Sequence, residues 1–318
     1  MKISVLVPCF NSERYLPQCL SSLLKIEMES IEFICINDGS TDSTEKIIQS
    51  YIALDSRFKL LNKKNSGYGD SLNKGLKVAK GEFIGIVESD DYVDSGMFSL
   101  LYSKAIENNL DLIRCGYFEH RSGIDKKYNS GIQPNRVFAP TEIQGPFFAS
   151  QAIWSHLYRK DFLLRNNISF LSTPGASYQD TSFVFKALAM ANRYMYIDSY
   201  FYHYRMDNEA SSINNPKKVF CVCDEWKEIF NFFQNNEARL SKLAGILLIL
   251  KSNTYNWNYE RIAPDRKKEF LNRWSKEIRQ GLFYKDYSLW PTSKKALLKL
   301  FVLGYCPSLL MKYKRLKK

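Results

Sequence analysis

The sequence has few of the residues that build disulfide frameworks or metal–thiolate sites. It carries three histidines and seven cysteines in 318 residues, and no two cysteines form a Cys-x-x-Cys pair. The cysteine count is odd, and Cys9, Cys35 and Cys115 lie in or beside apolar runs, which predicts buried thiols of a reducing compartment. The histidines are not spaced with the cysteines for tetrahedral ligation, which argues against a zinc site. They are His120, His156 and His203.

Long hydrophobic runs are also missing. No uninterrupted apolar stretch approaches the ~18–20 residues that span a bilayer. The longest candidates are residues 244–250 and residues 296–311, and the second is interrupted by Lys299. The opening residues 1–8 are strand-like and too short for the apolar core of a signal peptide. We therefore expect a cytoplasmic protein, either free or peripheral on the inner face of a membrane.

Positive charge is concentrated in the last third of the chain. Residues 216–318 contain 22 Lys and Arg against 9 Asp and Glu, whereas residues 1–115 contain 13 against 16. In residues 294–318 the basic residues alternate with Leu, Phe, Val and Met, which suits an anionic membrane surface. A solvated positive tail on a terminal core helix remains the alternative. Charge alone permits nucleic-acid binding, but no recognition module is visible, and we expect no nucleic-acid partner.

The first part of the chain alternates apolar strand-like runs with amphipathic helices. Such alternation with short connections predicts right-handed βαβ units and a parallel sheet. Pro8 is expected to end the first strand, and Asn11 or Ser12 to cap the first helix. The loops near Asn11, Asp38 and Asp90 should then lie at one edge of the sheet. The predicted strands are residues 3–7, 31–36, 58–61 and 83–87.

A group of carboxylates follows the fourth predicted strand. Glu88, Asp90 and Asp91 come directly after the apolar run at residues 83–87. Carboxylates at this density repel one another unless a cation lies among them, and their oxygens suit Mg²⁺ or Mn²⁺. The alternative is a solvated acidic turn before a helix, with Asp94 or Ser95 as the N-cap.

The later sequence is less regular. A helix at residues 97–107 and a strand at 110–117 are followed by a polar stretch, 118–150, that we interpret as a hairpin or variable excursion. A short strand and a helix start are predicted in 151–165, a turn and helix in 173–190, and a strand in 193–204. From about residue 216 the pattern is mainly helical, with aromatic residues at helical spacing.

Four segments stand out, each at a predicted strand end. They are Val7-Pro-Cys-Phe-Asn11, Asn37-Asp-Gly-Ser-Thr-Asp42, Asn65-Ser-Gly-Tyr-Gly-Asp-Ser-Leu-Asn-Lys-Gly75 and Glu88-Ser-Asp-Asp91. In this order they resemble motifs of the family 2 glycosyltransferases. The match covers residues 1–115 strongly, extends to about 205 through Trp154–Arg159 and Gln179–Phe183, and fades beyond that point.

The resemblance implies a GT-A fold, an α/β architecture with a Rossmann-like, mostly parallel central sheet flanked by helices, here followed by a helical C-terminal extension. It places a glycosyltransferase domain in residues 1–215, with a nucleotide-sugar half at 1–115 and an acceptor half at 116–215. Residues 216–318 would form a mainly helical basic region. The implied function is inverting, metal-dependent transfer of a hexose from a UDP-sugar to a hydroxyl of a glycan or lipid-linked acceptor in cell-surface polysaccharide synthesis.

The resemblance also implies a set of donor-binding residues. Asp38 would accept a hydrogen bond from uracil. Without the resemblance, an aspartate in this loop is also typical of a turn-forming residue. Phe10 would wall the base and ribose, or else belong to the core. Gly67 and Gly69 would let the nucleotide approach the start of a helix that favours anions, or simply begin that helix. Asn73 would fasten the helix to the acidic loop. The set is Pro8, Phe10, Asn11, Glu13, Asp38, Asn65, Gly67, Asn73, Glu88, Ser89 and Asp90.

By the same resemblance, Asp91 and Asp90 would hold Mn²⁺ or Mg²⁺, and Asp180 would be the general base. Two positions depart from the family pattern. Glu88 stands where the family usually has Asp, and Gln179 stands where it usually has Glu or Asp. The other interpretation of Asp180 is an acidic residue at the start of a helix, where the helix dipole stabilises negative charge. His156 is interpreted as structural, whereas His203 and Arg205 are candidates to face the diphosphate or the acceptor.

Two other classes of function are considered. A non-catalytic scaffold would keep the fold and tether a glycan-assembly complex to the membrane, but the acidic cluster together with Asp180 argues against it. A nucleotidyltransferase would need a glycine-rich loop with Lys or Arg after the first strand, which residues 8–14 lack.

Overall fold

The computed structural model describes residues 1–208, 218–235, 237–281 and 294–308. The chain divides into two compact units, Met1–Glu209 and Ala210–Lys318. The first contains the sheet and all of the predicted site residues. The second is helical wherever regular structure is described.

The first four long strands form the parallel part of the sheet, in the order β3-β2-β1-β4. The parallel sheet predicted from the strand–helix alternation is therefore confirmed. Every residue of β1 and β2 is buried, as expected for central strands that read as continuous apolar runs. The elements are β1 (Ile3–Cys9), α1 (Leu16–Leu24), β2 (Ile31–Asp38), α2 (Thr44–Leu54), β3 (Phe58–Lys63), α3 (Tyr68–Val78) and β4 (Phe83–Ile86).

The predicted end of the first strand and the predicted cap of the first helix are wrong. The strand β1 continues past Pro8 to Cys9, which is possible because β4 pairs only with Ile3–Leu6, so no ladder bond needs the missing N–H of Pro8. The helix α1 begins at Leu16 after a turn in which the amides of Tyr15 and Leu16 donate to Ser12 O, so neither Asn11 nor Ser12 is its N-cap.

The sheet continues through antiparallel and parallel pairs in the order β4-β8-β6-β9-β5, with β7 paired to β6. The short strand β5 was not predicted, because two residues carry no periodicity. The predicted N-cap of the following helix, Asp94 or Ser95, is also wrong, since that position is Gly96. The elements are β5 (Tyr92–Val93), α4 (Met97–Glu107), β6 (Leu112–Arg121), β7 (Ile124–Lys127), α5 (Gly145–Phe148), β8 (His156–Arg159), α6 (Lys160–Arg165), α7 (Gln179–Met190) and β9 (Tyr194–Arg205).

The second unit packs its helices around buried aromatic side chains, among them Trp226, Phe270 and Trp274. Within the described ranges, no helix has the length and apolar character needed to cross a bilayer. Residues 309–318 of the predicted membrane-facing segment lie outside the described residues. The helices are α8 (Cys221–Phe233), α9 (Glu237–Arg261), α10 (Lys267–Gly281) and α11 (Lys294–Tyr305).

The thiol prediction is confirmed for the three cysteines on which it rested. Cys9, Cys35 and Cys115 are free and buried on strands of the first unit. Burial raises the pKa of the Cys35 and Cys115 thiols to about 12, so both are neutral and behave as small apolar side chains.

Candidate functional site

The loops after β1 and β2 are joined at the carboxyl edge of the parallel strands. The side-chain oxygen of Asn11 accepts from Thr41 N at 2.8 Å, and Asn11 N donates to Ser40 Oγ at 3.0 Å. Asn11 has a φ of 48°, which asparagine tolerates better than most residues. Beside it, Phe10 is 51% exposed. The core interpretation of Phe10 is therefore wrong, and its ring is available to a ligand at this edge.

Glu13 connects the same loop to the start of α2. One of its carboxylate oxygens accepts from Ser43 N at 2.9 Å, and its own amide donates to Asp42 at 3.1 Å. A carboxylate at this position accepts from a backbone N–H at the start of α2 that has no partner within the helix. Glu13 thus has a structural role at the rim, and donor binding by Glu13 stays a prediction.

Asp38 lies at the end of β2 and is 5% exposed. Its two carboxylate oxygens accept from Ser66 N and Gly67 N, each at 2.9 Å, and the ammonium of Lys63 pairs with it. The anion at the start of α3 is therefore the Asp38 side chain itself. The turn-forming role is not seen, because these partners lie far from Asp38 in the sequence and the bond within its own loop runs from Ser40 N to Asn37 Oδ1. The contact with uracil stays a prediction.

The glycines at the start of α3 pack against protein backbone. Gly67 has a φ of 100°, and a Cβ there would overlap the carbonyl of Thr173; a Cβ on Gly69 would overlap that of Leu171. Tyr68 N also donates to Gly175 O at 3.0 Å. The space that these glycines leave open is filled by residues 171–175, so the expected approach of a nucleotide to their Cα atoms is not seen.

Asn73 was expected to fasten α3 to the acidic loop, and this is wrong. Its amide nitrogen donates to Phe170 O at 2.8 Å, and its amide oxygen accepts from Phe170 N at 2.9 Å. Asn73 therefore holds α3 to the segment that precedes α7. Asn65 is exposed at the turn before α3, where its backbone nitrogen leaves no room for a Cβ on Gly39.

The carboxylate cluster follows β4, as predicted. Glu88 accepts from the hydroxyl of Tyr68, and Asp90 accepts from Asn208 Nδ2 at 2.8 Å. Asp91 is 1% exposed, and its two oxygens accept from Tyr202 Oη at 2.8 Å and Arg205 N at 2.7 Å. These partners were not identified from the sequence, because they come from α3, β9 and the chain after β9.

Ser89 connects the cluster to the rim. Its hydroxyl lies 2.8 Å from Ser12 Oγ, and the Ser89 side chain is 9% exposed. Glu88 and Asp90 each keep part of their surface exposed, whereas Asp91 does not. A ligand thus reaches Glu88 and Asp90 more readily than Asp91, and metal binding by Asp91 stays a prediction.

Negative charge accumulates in the cluster. The pKa of Glu88 is raised to about 8, mainly by burial and also by Asp90 and Asp180, against the lowering effect of the hydrogen bond from Tyr68. Burial and Asp90 hold the pKa of Asp91 well above its usual range. Asp180 acts on Glu88 from a distant part of the sequence, so the fold brings all four carboxylates into one electrostatic group.

Aromatic residues from the later part of the first unit support the acidic loop. The Trp154 ring stacks on Tyr202 at 4.1 Å and on Tyr204 at 5.3 Å between centroids. The Tyr202 hydroxyl donates to Asp91 and also accepts from Glu88 N at 3.0 Å. Arg205 Nε donates to Asp90 O at 2.8 Å. The alternation of aromatic and polar residues in β9 was the only sequence signal for this support.

Asp180 lies in the first turn of α7, and one of its oxygens accepts from Thr181 N at 2.9 Å. Burial raises the pKa of Asp180 to about 6, against the effect of that hydrogen bond. The preceding Gln179 is buried, and its amide group donates to Thr173 Oγ1 at 2.9 Å and accepts from Ser177 N. A glutamine supplies both a donor and an acceptor here, which explains physically how this departure from the family pattern is accommodated.

Two histidine predictions have different outcomes. His156 is 1% exposed with Nδ1 2.9 Å from Ala152 O, which confirms a structural role. The ring of His203 is stacked between Tyr92 at 4.3 Å and Phe118 at 4.9 Å. It lies next to carboxylates outside the Glu88–Asp91 cluster. Its role toward a diphosphate or an acceptor stays a prediction.

The comparisons with known proteins now identify the family. The model for glycosyl transferase family 2 matches residues 4–184. The chain belongs to glycosyl transferase family 2. The matched range contains the parallel half of the sheet, the acidic cluster and Asp180, so the resemblance predicted from the four segments is confirmed.

Relatives in sequence and structure agree with this assignment. A protein described as the uncharacterized glycosyltransferase EpsJ of Bacillus subtilis is 31% identical over 222 residues, which are 68% of this chain and 64% of that protein. Two other curated relatives are matched over 64% and 63% of their length. The chain thus spans somewhat less than two thirds of these relatives.

The fold is shared with solved glycosyltransferases. The structure of S. aureus TarS 1–349 in complex with UDP-GlcNAc superposes with a TM-score of 0.74 at 23% identity, covering 95% of this chain and 87% of that one. A mannosyltransferase, PcManGT from Pyrobaculum calidifontis, in complex with GDP-Man and Mn²⁺, gives 0.53 at 12% identity, covering 96% and 87%. The predicted α/β fold with a largely parallel sheet and following helices is confirmed.

Proposed function

We propose that this chain is an inverting glycosyltransferase that moves a hexose from a UDP-sugar to a hydroxyl of a glycan or lipid-linked acceptor in cell-surface polysaccharide synthesis. One observation carries the proposal. Glu88, Asp90 and Asp91 follow β4 at the carboxyl edge of the parallel strands, and Asp180 acts electrostatically on Glu88. That edge is where open α/β sheets bind their ligands, and here the exposed Phe10 ring borders it.

The residues present fit a divalent cation. Glu88 and Asp90 are partly exposed carboxylates, and the negative charges of Asp90 and Asp180 add to burial in raising the pKa of Glu88. Hard oxygen ligands of this kind suit Mg²⁺ or Mn²⁺. Asp90 and Asp91 would hold the ion with help from Glu88, and Asp91 also fixes the loop through Tyr202 and Arg205. When bound, such an ion neutralises charge on the departing nucleoside diphosphate.

Asp180 is proposed as the general base. A sugar hydroxyl is a weak nucleophile, and removal of its proton in the transition state accelerates attack. An Asp180 carboxyl with a pKa of about 6 is ionised near neutral pH and more basic than an exposed aspartate. Asp180 takes the proton, the acceptor oxygen bonds to the anomeric carbon, and the bond from that carbon to the diphosphate breaks on the opposite face, inverting the configuration.

Donor binding is proposed for the rim of the same edge. The Phe10 ring would cover the base and ribose, while Pro8, Asn11 and Glu13 keep the rim in shape. Asp38 would accept from the uracil N–H with a lone pair left free by Gly67 N. UDP as the nucleotide is supported by the UDP-GlcNAc complex of TarS, and Mn²⁺ by the Mn²⁺ complex of PcManGT.

A peripheral contact with an anionic membrane surface is proposed for α11. Leu298, Phe301 and Tyr305 are exposed, with fractions of 64%, 56% and 49%, and their spacing places them along one side of the helix. Lys299 is also exposed, and the basic residues 312–318 follow in the sequence. Apolar side chains next to lysines suit an interfacial helix, and a lipid-linked acceptor would be found there.

A donor screen tests the proposed activity. UDP- and GDP-sugars are incubated with the chelator-treated full chain, with and without Mn²⁺, and release of nucleoside diphosphate is measured. At least one UDP-sugar should be hydrolysed only with Mn²⁺, and Asp180→Asn should still bind UDP while losing transfer. Absence of nucleotide binding, together with flotation on phosphatidylglycerol vesicles, would instead support the tethering scaffold.

A further inference from the structure

A second group of potential metal ligands lies away from the carboxylate cluster, where β5, β6, β7 and β9 meet. It consists of His120 on β6, Asp125 on β7 and His203 on β9, whose ligand atoms all lie within 4.8 Å of one another. Asp125 faces both imidazoles, with Oδ1 2.7 Å from His120 Nδ1 and Oδ2 2.9 Å from His203 Nδ1. Sequence spacing did not reveal this group, because the three residues are separated by up to 83 positions and are brought together by strand pairing.

The hydrogen bonding of His203 is the observation that points to a cation. Its Nε2 lies 3.3 Å from Asp94 Oδ1 in hydrogen-bonding geometry, so Nε2–H donates to this carboxylate. Its Nδ1 is buried and has no hydrogen-bond partner, although the Asp125 oxygen is 2.9 Å away. The Nδ1 atom therefore faces an anionic oxygen of Asp125 across a short gap, while Asp94 holds the opposite side of the ring. A cation placed between Nδ1 and this oxygen would bind both.

We propose that His120, Asp125 and His203 form a transition-metal site of the zinc class, separate from the Glu88–Asp91 cluster. Two imidazoles and one carboxylate are a ligand set that Zn²⁺ takes with water as the fourth ligand, at bonds of about 2.0–2.2 Å. The site needs the two imidazoles to move closer together and Asp125 to move slightly outward. Asp94 supplies the outer carboxylate that orients a metal-bound histidine, and stacking of Tyr92 and Phe118 on the His203 ring fixes its plane.

The charges of the site balance with this ion. Zn²⁺ with two neutral imidazoles and Asp125 carries a net charge of +1, which the carboxylate of Asp94 neutralises. Asp94 and Tyr92 belong to the strand and turn that follow Asp91, and His203 is two residues before Arg205, which binds Asp90 and Asp91. An ion here would therefore join the end of the acidic loop to β9 and the β6–β7 hairpin. This proposal does not rest on the proposed transferase activity.

Zinc titration of the chelator-treated full chain tests the site. Zn²⁺ should bind with a stoichiometry of one in calorimetry and raise Tm, and Co²⁺ in its place should give the visible absorption of a four-coordinate ion. His120→Gln and Asp125→Asn, both in the partly exposed hairpin, should each weaken binding more than about 100-fold. Asp94→Ala should weaken it about 10–100-fold through loss of the outer carboxylate.

Two controls separate this site from other metal binding. Asp198→Asn changes an exposed carboxylate on the same strand as His203 and should leave Zn²⁺ affinity unchanged. Asp90→Asn should also leave it unchanged, because Asp90 belongs to the other cluster. The proposal is overturned if the wild type does not bind Zn²⁺, if Asp90→Asn alone abolishes binding, or if Asp198→Asn weakens binding as much as His120→Gln does.

Discussion

Removal of the Tyr202 hydroxyl should expose how strongly the acidic loop depends on β9. In Tyr202→Phe, Asp91 loses a donor at 2.8 Å in a buried environment, and Glu88 N loses an acceptor at 3.0 Å in a partly buried one. Loss of a hydrogen bond to a carboxylate and a newly unpaired buried amide together cost about 2–4 kcal/mol. The stack on Trp154 remains, because phenylalanine keeps the ring. In a unit of this size, such a loss in the free energy of unfolding lowers Tm by roughly 4–16 °C.

The assay compares thermal unfolding of the wild type, Tyr202→Phe and Tyr204→Phe. Tyr204 stacks on the same tryptophan, but within the described part of the chain its hydroxyl makes no hydrogen bond. Its loss should change Tm by no more than about 2 °C. Equal Tm values for the two variants would refute the argument that the Tyr202 hydroxyl anchors the loop. Mn²⁺-dependent hydrolysis of the donor should fall with Tyr202→Phe and persist with Tyr204→Phe.

Three further predictions concern the segment around α7 and its contact with α3. Gly67→Ala should destabilise the protein by about 2–4 kcal/mol, because alanine is strained at a φ of 100° and its Cβ overlaps the Thr173 carbonyl. Gly145→Ala should not, because a Cβ there meets open space. Chemical denaturation measures both variants, and equal midpoints would contradict the close packing at Gly67. Gln179→Glu should lose the hydrogen bond donated to Thr173 and place a second negative charge beside Asp180. The midpoint of the pH–rate profile should therefore rise by about one pH unit. An unchanged midpoint would show that the two side chains do not interact. The rate of the wild type should increase as the pH rises through about 6, because the pKa of Asp180 is raised and the base must lose its proton. Asp180→Asn should lower kcat by about 10²–10⁴-fold at all pH values. Retention of wild-type kcat would show that Asp180 is not the base.

The same pKa shift has a consequence for stability with the opposite sign. Because folding raises the pKa of Asp180 from 3.8 to about 6, the folded state holds a proton that the unfolded state has released between these values. The contribution of this group to the free energy of unfolding is therefore fully present below about pH 4 and is lost as the pH rises to about 6. The pH that favours the proposed base is thus not the pH at which this residue stabilises the fold most.

Local patterns were sufficient to predict the parallel half of the fold and the edge at which Asn11, Asp38 and Asp90 lie. Continuous apolar runs mark buried strands, and short connections between strands and helices leave few topologies. The exact starts of helices were less predictable. Asn11 and Ser12 are good capping residues in isolation, but Asn11 instead bonds to the loop after β2, so tertiary contacts determined where α1 begins.

What the sequence could not show is which groups occupy the lone pairs and the space around the candidate residues. Nothing in the sequence indicated that Asp38, proposed to face a base, also binds Lys63 and the amides of Ser66 and Gly67. Gly67 was expected to admit a nucleotide, but it admits the backbone of Thr173. Contacts of this kind join segments about 25 to 110 residues apart. They leave no periodic signal in a single sequence.

The central claim is that the carboxylates at the end of β4 bind a divalent cation together with UDP. Thermal shift with UDP and Mn²⁺, compared between the wild type and Asp90→Asn, tests it most directly. The wild type should be stabilised by UDP only when Mn²⁺ is present, and Asp90→Asn should fold normally and lose that dependence. Equal stabilisation of the two proteins by UDP and Mn²⁺ would contradict the claim.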